Sequence, residues 1–172
     1  MKFYFYGAFI MSIYKVQNLT LVAQPTDAVC WWASDTMLYK WSKATGRGSM
    51  IDPLSDSGFK ARYEANGTWG CSDNAFMAKT LKMVGITSVD LSYDGLVSTF
   101  QAHGPLFASV QKNWNGNDYG HAVVFGGVAD TGVLVYDPMP VGKGSLIWLT
   151  WAQVKKALDG ISGANPTYLA AV

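Results

Sequence analysis

The chain has 172 residues and a mass of 18.7 kDa, with 49% apolar residues, 15% charged residues and a formal charge of +1. So apolar a chain can bury a large core and is not disordered; its balanced charge leaves no electrostatic footprint for nucleic acid or an anionic membrane. Two cysteines exclude a dense disulfide framework, and paired Cx2C zinc sites, sequence repeats, heptads and Gly-rich phosphate loops are absent.

Residues 1–14 (MKFYFYGAFIMSIY) form an aromatic-rich apolar stretch whose one basic residue is Lys2. It is shorter than the roughly 20 apolar residues a helical membrane span needs, and it lacks the aliphatic core and small-residue cleavage site of a secretory signal. A strand or docking segment is expected here, with Met11 an alternative start. Cys30 to Thr45 places Trp31, Met37, Leu38 and Trp41 at helical spacing before the stop signal Gly46, and the helix is expected to begin between Asp27 and Cys30. Arg47 to Gly70, rich in Gly, Ser, Asp and Asn, reads as loop with one short helix. Ser72 or Asp73 caps a second helix, Asn74 to Val84, ended by Gly85. A short strand is expected at Ile86 to Leu91 and a third helix at Leu96 to Ala102, closed by Gly104-Pro105.

Beyond Pro105 the pattern turns to strands: Leu106 to Gln111, His121 to Val128, Val133 to Asp137 and Ser145 to Leu149, followed by a short helix at Trp151 to Leu158. Asp130-Thr131-Gly132 marks the turn between the second and third. The expectation is one α+β domain over 1–172, with residues 1–104 mainly helical and 105–172 mainly β, and a cleft between the two lobes.

Cys30 opens the first helix, where the dipole and free N–H groups favour a thiolate; its alternative reading is a small buried hydrophobe. His121 opens an apolar strand behind Gly120, which leaves room beside the ring. Asp137 ends the next strand ahead of Pro138 and Pro140, either as a turn-capping residue or as a carboxylate that orients the imidazole. Gln24, six residues before Cys30 across the Pro25-Thr26-Asp27 bend, is either an ordinary loop residue or an amide donor to an oxyanion.

The order Gln24-x5-Cys30-Trp31, then Gly120-His121-Ala122-Val123-Val124, then Asp137 resembles the papain-like cysteine peptidases. Residues 121–138 (HAVVFGGVADTGVLVYDP) resemble the strand that carries the family's histidine and the hairpin beyond it. Leu106 to Val110, behind Gly104-Pro105, resembles the preceding strand. The nearest branches are compact bacterial ones: avirulence-type effector peptidases and double-glycine leader peptidases. The resemblance spans roughly Ala23 to Leu149 and implies a papain-like two-lobed fold, helical then antiparallel β. It implies Cys30 as nucleophile, His121 as general base and acid, Asp137 as orienter and Gln24 as oxyanion donor. The expected cleft walls are Trp31, Trp69, Gly70 and Gly120. No metal or organic cofactor is required. Papain's Asn and the Trp after it are replaced by Asp137 and Met139, which alters the shield over the histidine contact. With the turn at Asp130 to Gly132, hairpin counting pairs Asp137 near Val124 rather than His121, so a bulge or strong twist is needed.

His103 is expected to cap a helix C-terminus, Asp130 to serve the turn, Cys71 to be a free thiol, and Trp32 and Trp41 to be mostly core. The expected activity is hydrolysis of protein or peptide substrates by a bacterial effector or toxin, delivered into a target cell and matched to a cognate inhibitor or immunity protein. One alternative uses the same triad as a glutamine deamidase or transamidase; another is a non-catalytic binding module. A peptidoglycan amide hydrolase would more often carry Asp-Cys-Ser-Gly at the nucleophile and a second active-site histidine.

Overall fold

The computed structural model describes residues 12–70, 73–161, 164 and 167–171. The apolar stretch ahead of Ser12 lies outside the described residues, as do Cys71 and Ser72. The chain runs through β1 (Ile13–Lys15), α1 (Cys30–Thr45), a 3-10 turn (Pro53–Ser55), α2 (Ser57–Glu64), α3 (Asn74–Leu81), β2 (Met83–Ile86) and α4 (Tyr93–His103). It continues through β3 (Leu106–Trp114), β4 (Asn117–Ala129), β5 (Gly132–Asp137), β6 (Ser145–Thr150), α5 (Trp151–Asp159) and β7 (Tyr168–Ala171). The strands form one antiparallel sheet in the order β2-β7-β3-β4-β5-β6, with β1 pairing β4 beyond the end of β3. This α+β arrangement, helices first and sheet second, is the papain-like one.

α1 begins at Cys30 and stops at Gly46, which takes the left-handed conformation (φ 66°) that glycine adopts without a Cβ penalty. Trp31, Met37, Leu38 and Trp41 are all buried, and the helix packs chiefly on β4. All six residues of β5 and the stretch from His121 to Ala129 are buried, so both faces of the sheet centre are covered. α5 packs across β3, β5 and β6, fixed at its start by a reciprocal capping box between Thr150 and Gln153.

Three expected boundaries are corrected. α3 ends at Leu81 rather than Val84, because Lys82 turns left-handed (φ 56°) and sends its N–H back to Ala78 O. Met83 to Ile86, Gly85 included, then pairs with β7 as an edge strand, so the expected strand at Ile86 to Leu91 does not form beyond its first residue. α4 starts at Tyr93, three residues before the expected Leu96, because Ser92 Oγ accepts the Gly95 N–H. Asp73 stands at the α3 N-cap position, but its carboxylate accepts the Gly70 N–H at 2.9 Å instead of capping the helix. His103 ends α4 with its buried Nδ1 unpartnered among the described residues, so it provides no cap through that nitrogen.

The β4–β5 hairpin resolves the counting problem between His121 and Asp137. Opposed residues on antiparallel strands project to the same face, and successive residues alternate. Continuous pairing back from Ala129–Gly132 would set Asp137 against Val124, on the face opposite His121. Instead the register shifts between Phe125 and Gly127, so Val124 pairs with Tyr136 and Asp137 falls level with Val123. Val123 and His121 share a face, and so therefore do His121 and Asp137. Gly126 is the bulged residue; its carbonyl accepts the Val16 N–H at 2.9 Å, and a Cβ there would lie 2.6 Å from Tyr136 Cε2. Gly126→Ala should therefore cost about 1–3 kcal/mol in a denaturant titration, as overpacked sites do. An unchanged midpoint would show that the bulge does not depend on glycine.

Candidate active site

The segment ahead of α1 is tied to the loop that follows β5. Gln24 N–H donates to Pro138 O at 3.1 Å, and Gly142 N–H donates to Gln24 O at 2.9 Å. These bonds hold the start of α1 against the strand end that carries Asp137. Cys30 is half-buried. Its Sγ accepts the main-chain N–H of Ala122 at 3.4 Å and shares a hydrogen bond with His121. His121 Nε2 lies 2.7 Å from Asp137 Oδ1, which leaves Nδ1 as the ring nitrogen for the sulfur. The same Oδ1 accepts the Met139 N–H at 2.8 Å, and Oδ2 receives Lys112 Nζ at 2.5 Å. His121 and Asp137 are 7% and 4% exposed, so their interaction is largely shielded from water.

Burial pushes the Cys30 thiol up, but the hydrogen bond and charge of His121, with the N–H groups of Ala122 and Trp31, bring it below its ordinary value. Burial likewise opposes charge on His121, yet the bonds to Asp137 and Cys30 and their negative charges raise it to about 9. Asp137 is held below its usual range: burial is overcome by His121, Lys112 and the Met139 N–H. A thiol lowered and an imidazole raised favour the thiolate–imidazolium pair near neutral pH.

A cleft of two adjoining spaces, about 300 and 390 Å3, opens over Cys30. Trp31, Trp69 and Gly120 line both spaces and Gly70 lines one. Trp69 is clamped between rings, 5.0 Å from Phe59 and 5.6 Å from Phe76, with the Arg62 guanidinium 4.2 Å from its ring. Trp31 meets it edge-on and donates Nε1–H to Gly67 O at 3.0 Å. Trp32 packs on Tyr63 with ring centres 4.7 Å apart and the planes tilted by 45°. Gln24 is fully buried and lies outside the cleft lining; its Nε2 donates to Thr26 O at 2.7 Å.

Three features escaped the sequence reading. Lys112 is the first, and its signal lay in the Asn115-Gly116 turn, where φ is 52° and 82°. Positive φ at two adjacent residues makes the tight hairpin turn that fixes β3 against β4. That register pairs Val110 with His121 and Lys112 with Tyr119, all on the face of Asp137. The second, the Ala122 N–H on the sulfur, has no side-chain signature. The third is Asp35, fully buried in α1 with both carboxylate oxygens lacking a partner among the described residues.

The fold and the placement of thiol, imidazole and carboxylate are those of a papain-type thiol hydrolase. The family described as "Papain-like cysteine protease AvrRpt2" matches residues 13–151, and the chain belongs to it. No curated protein matches the sequence. The protein is a cysteine peptidase, and the substrates of such an enzyme are proteins or peptides.

Burial, followed by the nearby charge of Cys30, raises Asp35 well above the usual carboxylate range, so the folded protein keeps it neutral. An unfolded chain releases that proton near pH 3.9. Between that pH and the folded-state value, unfolding releases a proton, so stability is lost as pH rises. Asp35→Asn removes this dependence, and its thermal midpoint should gain on that of the wild type as pH rises above the unfolded value. A difference that stays constant with pH would mean that Asp35 is ionised in the fold.

Proposed function

We propose that Cys30, His121 and Asp137 form the catalytic triad of this peptidase, and that the enzyme acts as a bacterial effector or toxin on proteins of a target cell. The observation that carries the triad is one imidazole hydrogen-bonded to the carboxylate on one side and the sulfur on the other, at the edge of an aromatic cleft. The Cys30 thiolate attacks the scissile carbonyl carbon. The oxyanion is held by the Cys30 N–H; Gln24 Nε2 joins it only by turning its second hydrogen toward the cleft from the buried bend where the first is given to Thr26. The His121 imidazolium protonates the leaving amine, then the neutral ring takes a proton from the water that releases the acyl group. Asp137 keeps the ring's orientation throughout. The effector role is supported by the resemblance to avirulence-type effector peptidases, and it brings with it delivery by a specialised secretion system and a cognate inhibitor or immunity partner.

The test is turnover of a susceptible protein, with products read by mass. Hydrolysis separates a peptide into two fragments, whereas glutamine deamidation shifts one mass by about one dalton and leaves the chain whole. Cys30→Ala should abolish cleavage in a folded protein, Asp137→Ala should cost less than His121→Ala, and Gln24→Ala should lower kcat by on the order of 10²-fold. Imidazolium is present below about pH 9 and is lost above it, so kcat/KM should fall on the alkaline side with an inflection near 9. Cleavage retained in Cys30→Ala would remove the nucleophile from this scheme.

A further inference from the structure

Asp137 is held from three directions, and only two of them belong to the papain pattern of histidine and loop. The third is Lys112, on β3, whose Nζ sits 2.5 Å from Oδ2 while His121 and Met139 share Oδ1. Its side chain is 24% exposed against 6% for Asp137, so the ion pair is largely buried. Among the described residues it is the one Lys or Arg in ion-pair contact with Asp137.

The charges around the site give that contact a purpose. Before proton transfer, Cys30 and His121 are neutral and Lys112 balances Asp137; after transfer, the row Lys112, Asp137, His121, Cys30 alternates in sign and is again neutral. Without Lys112 both states carry an uncompensated buried anion, and Asp137 acts on the imidazole alone. We propose that Lys112 is a positioning residue of the active site, holding Oδ2 so that Oδ1 stays on His121 Nε2 and sharing the carboxylate's charge so that the imidazolium can still give up its proton. The proposal rests on the triad reading.

Among the described residues, the other ionisable groups facing this cluster are Cys30 from α1, with the buried Asp35 of the same helix behind it, Asp27 from the segment before α1 and Tyr119 from β4. On the side of β6 and α5 the facing residues are apolar: Ile147, Leu149, Val154 and Ala157. Removing Lys112 therefore removes the cation that competes with the imidazolium for Asp137, and His121 should hold its proton to higher pH.

The experiment is the pH dependence of iodoacetamide alkylation at Cys30, read by peptide mass spectrometry on the full chain. It compares wild type with Lys112→Met, Lys112→Gln and Lys112→Arg. The upper inflection, where His121 deprotonates, should move up by roughly one unit in the Met and Gln variants and stay at the wild-type position in Lys112→Arg. If the Met variant does not fold, the Gln variant, which keeps a hydrogen-bond donor, decides. Superimposed wild-type and neutral-variant profiles would overturn the proposal, as would an Arg variant displaced like the neutral ones. A wild-type Cys30 that titrates as an ordinary thiol would instead overturn the triad reading, and this proposal with it.

Discussion

The hydrogen bond between His121 and Asp137 is the contact on which the rest of the site depends, and backbone parity controls it. The two residues sit on neighbouring strands, but an uninterrupted hairpin would send their side chains to opposite faces. One inserted residue, Gly126, reverses that parity. The bulge works because glycine allows Tyr136 and Leu19 to close over it and because Val16 ties off its carbonyl. The N-terminal chain leading out of β1 thus helps to hold the register of a pair that lies far from it in sequence.

Burial makes this contact effective and also sets its cost. A carboxylate and an imidazolium removed from water need complete hydrogen bonding, because either one alone would lose its charge. Asp137 meets that requirement with three donors, two on Oδ1 and one on Oδ2. Asp35 is the opposite case on the same protein. It is buried in the helix that Cys30 opens, with no partner found among the described residues, and burial holds its proton on. A neutral Asp35 does not compete with the thiolate of Cys30 for positive charge, so one helix can carry both groups.

The sequence was most legible where local signals and tertiary packing agree. α1 runs from Cys30 to Thr45 because its apolar spacing, its glycine stop and its burial against β4 all favour the same limits. β5 is equally plain, since the apolar run from Val133 to Tyr136, flanked by turn residues, has few alternatives. Legibility fails where a distant strand decides. Met83 and Val84 continue the helical pattern of α3, but with Gly85 and Ile86 they are captured by β7, which lies beyond residue 160 and carries only four residues. The site divides the same way. Cys30, His121 and Asp137 were found by residue type and order, whereas Lys112 required the exact register of β3 on β4 and Gly126 required knowing which residue of the strand is left unpaired. Gln24 remains the site residue least tied to the cleft by geometry, since its amide serves the bend before α1.

Whether one imidazole joins the carboxylate and the thiolate is decided by proton NMR of His121. His121 should titrate at about 9 in the wild type and at lower pH in Cys30→Ala, with a low-field proton on the nitrogen facing Asp137. A His121 that titrates near the ordinary value of about 6.5, unchanged by loss of Cys30, would contradict it.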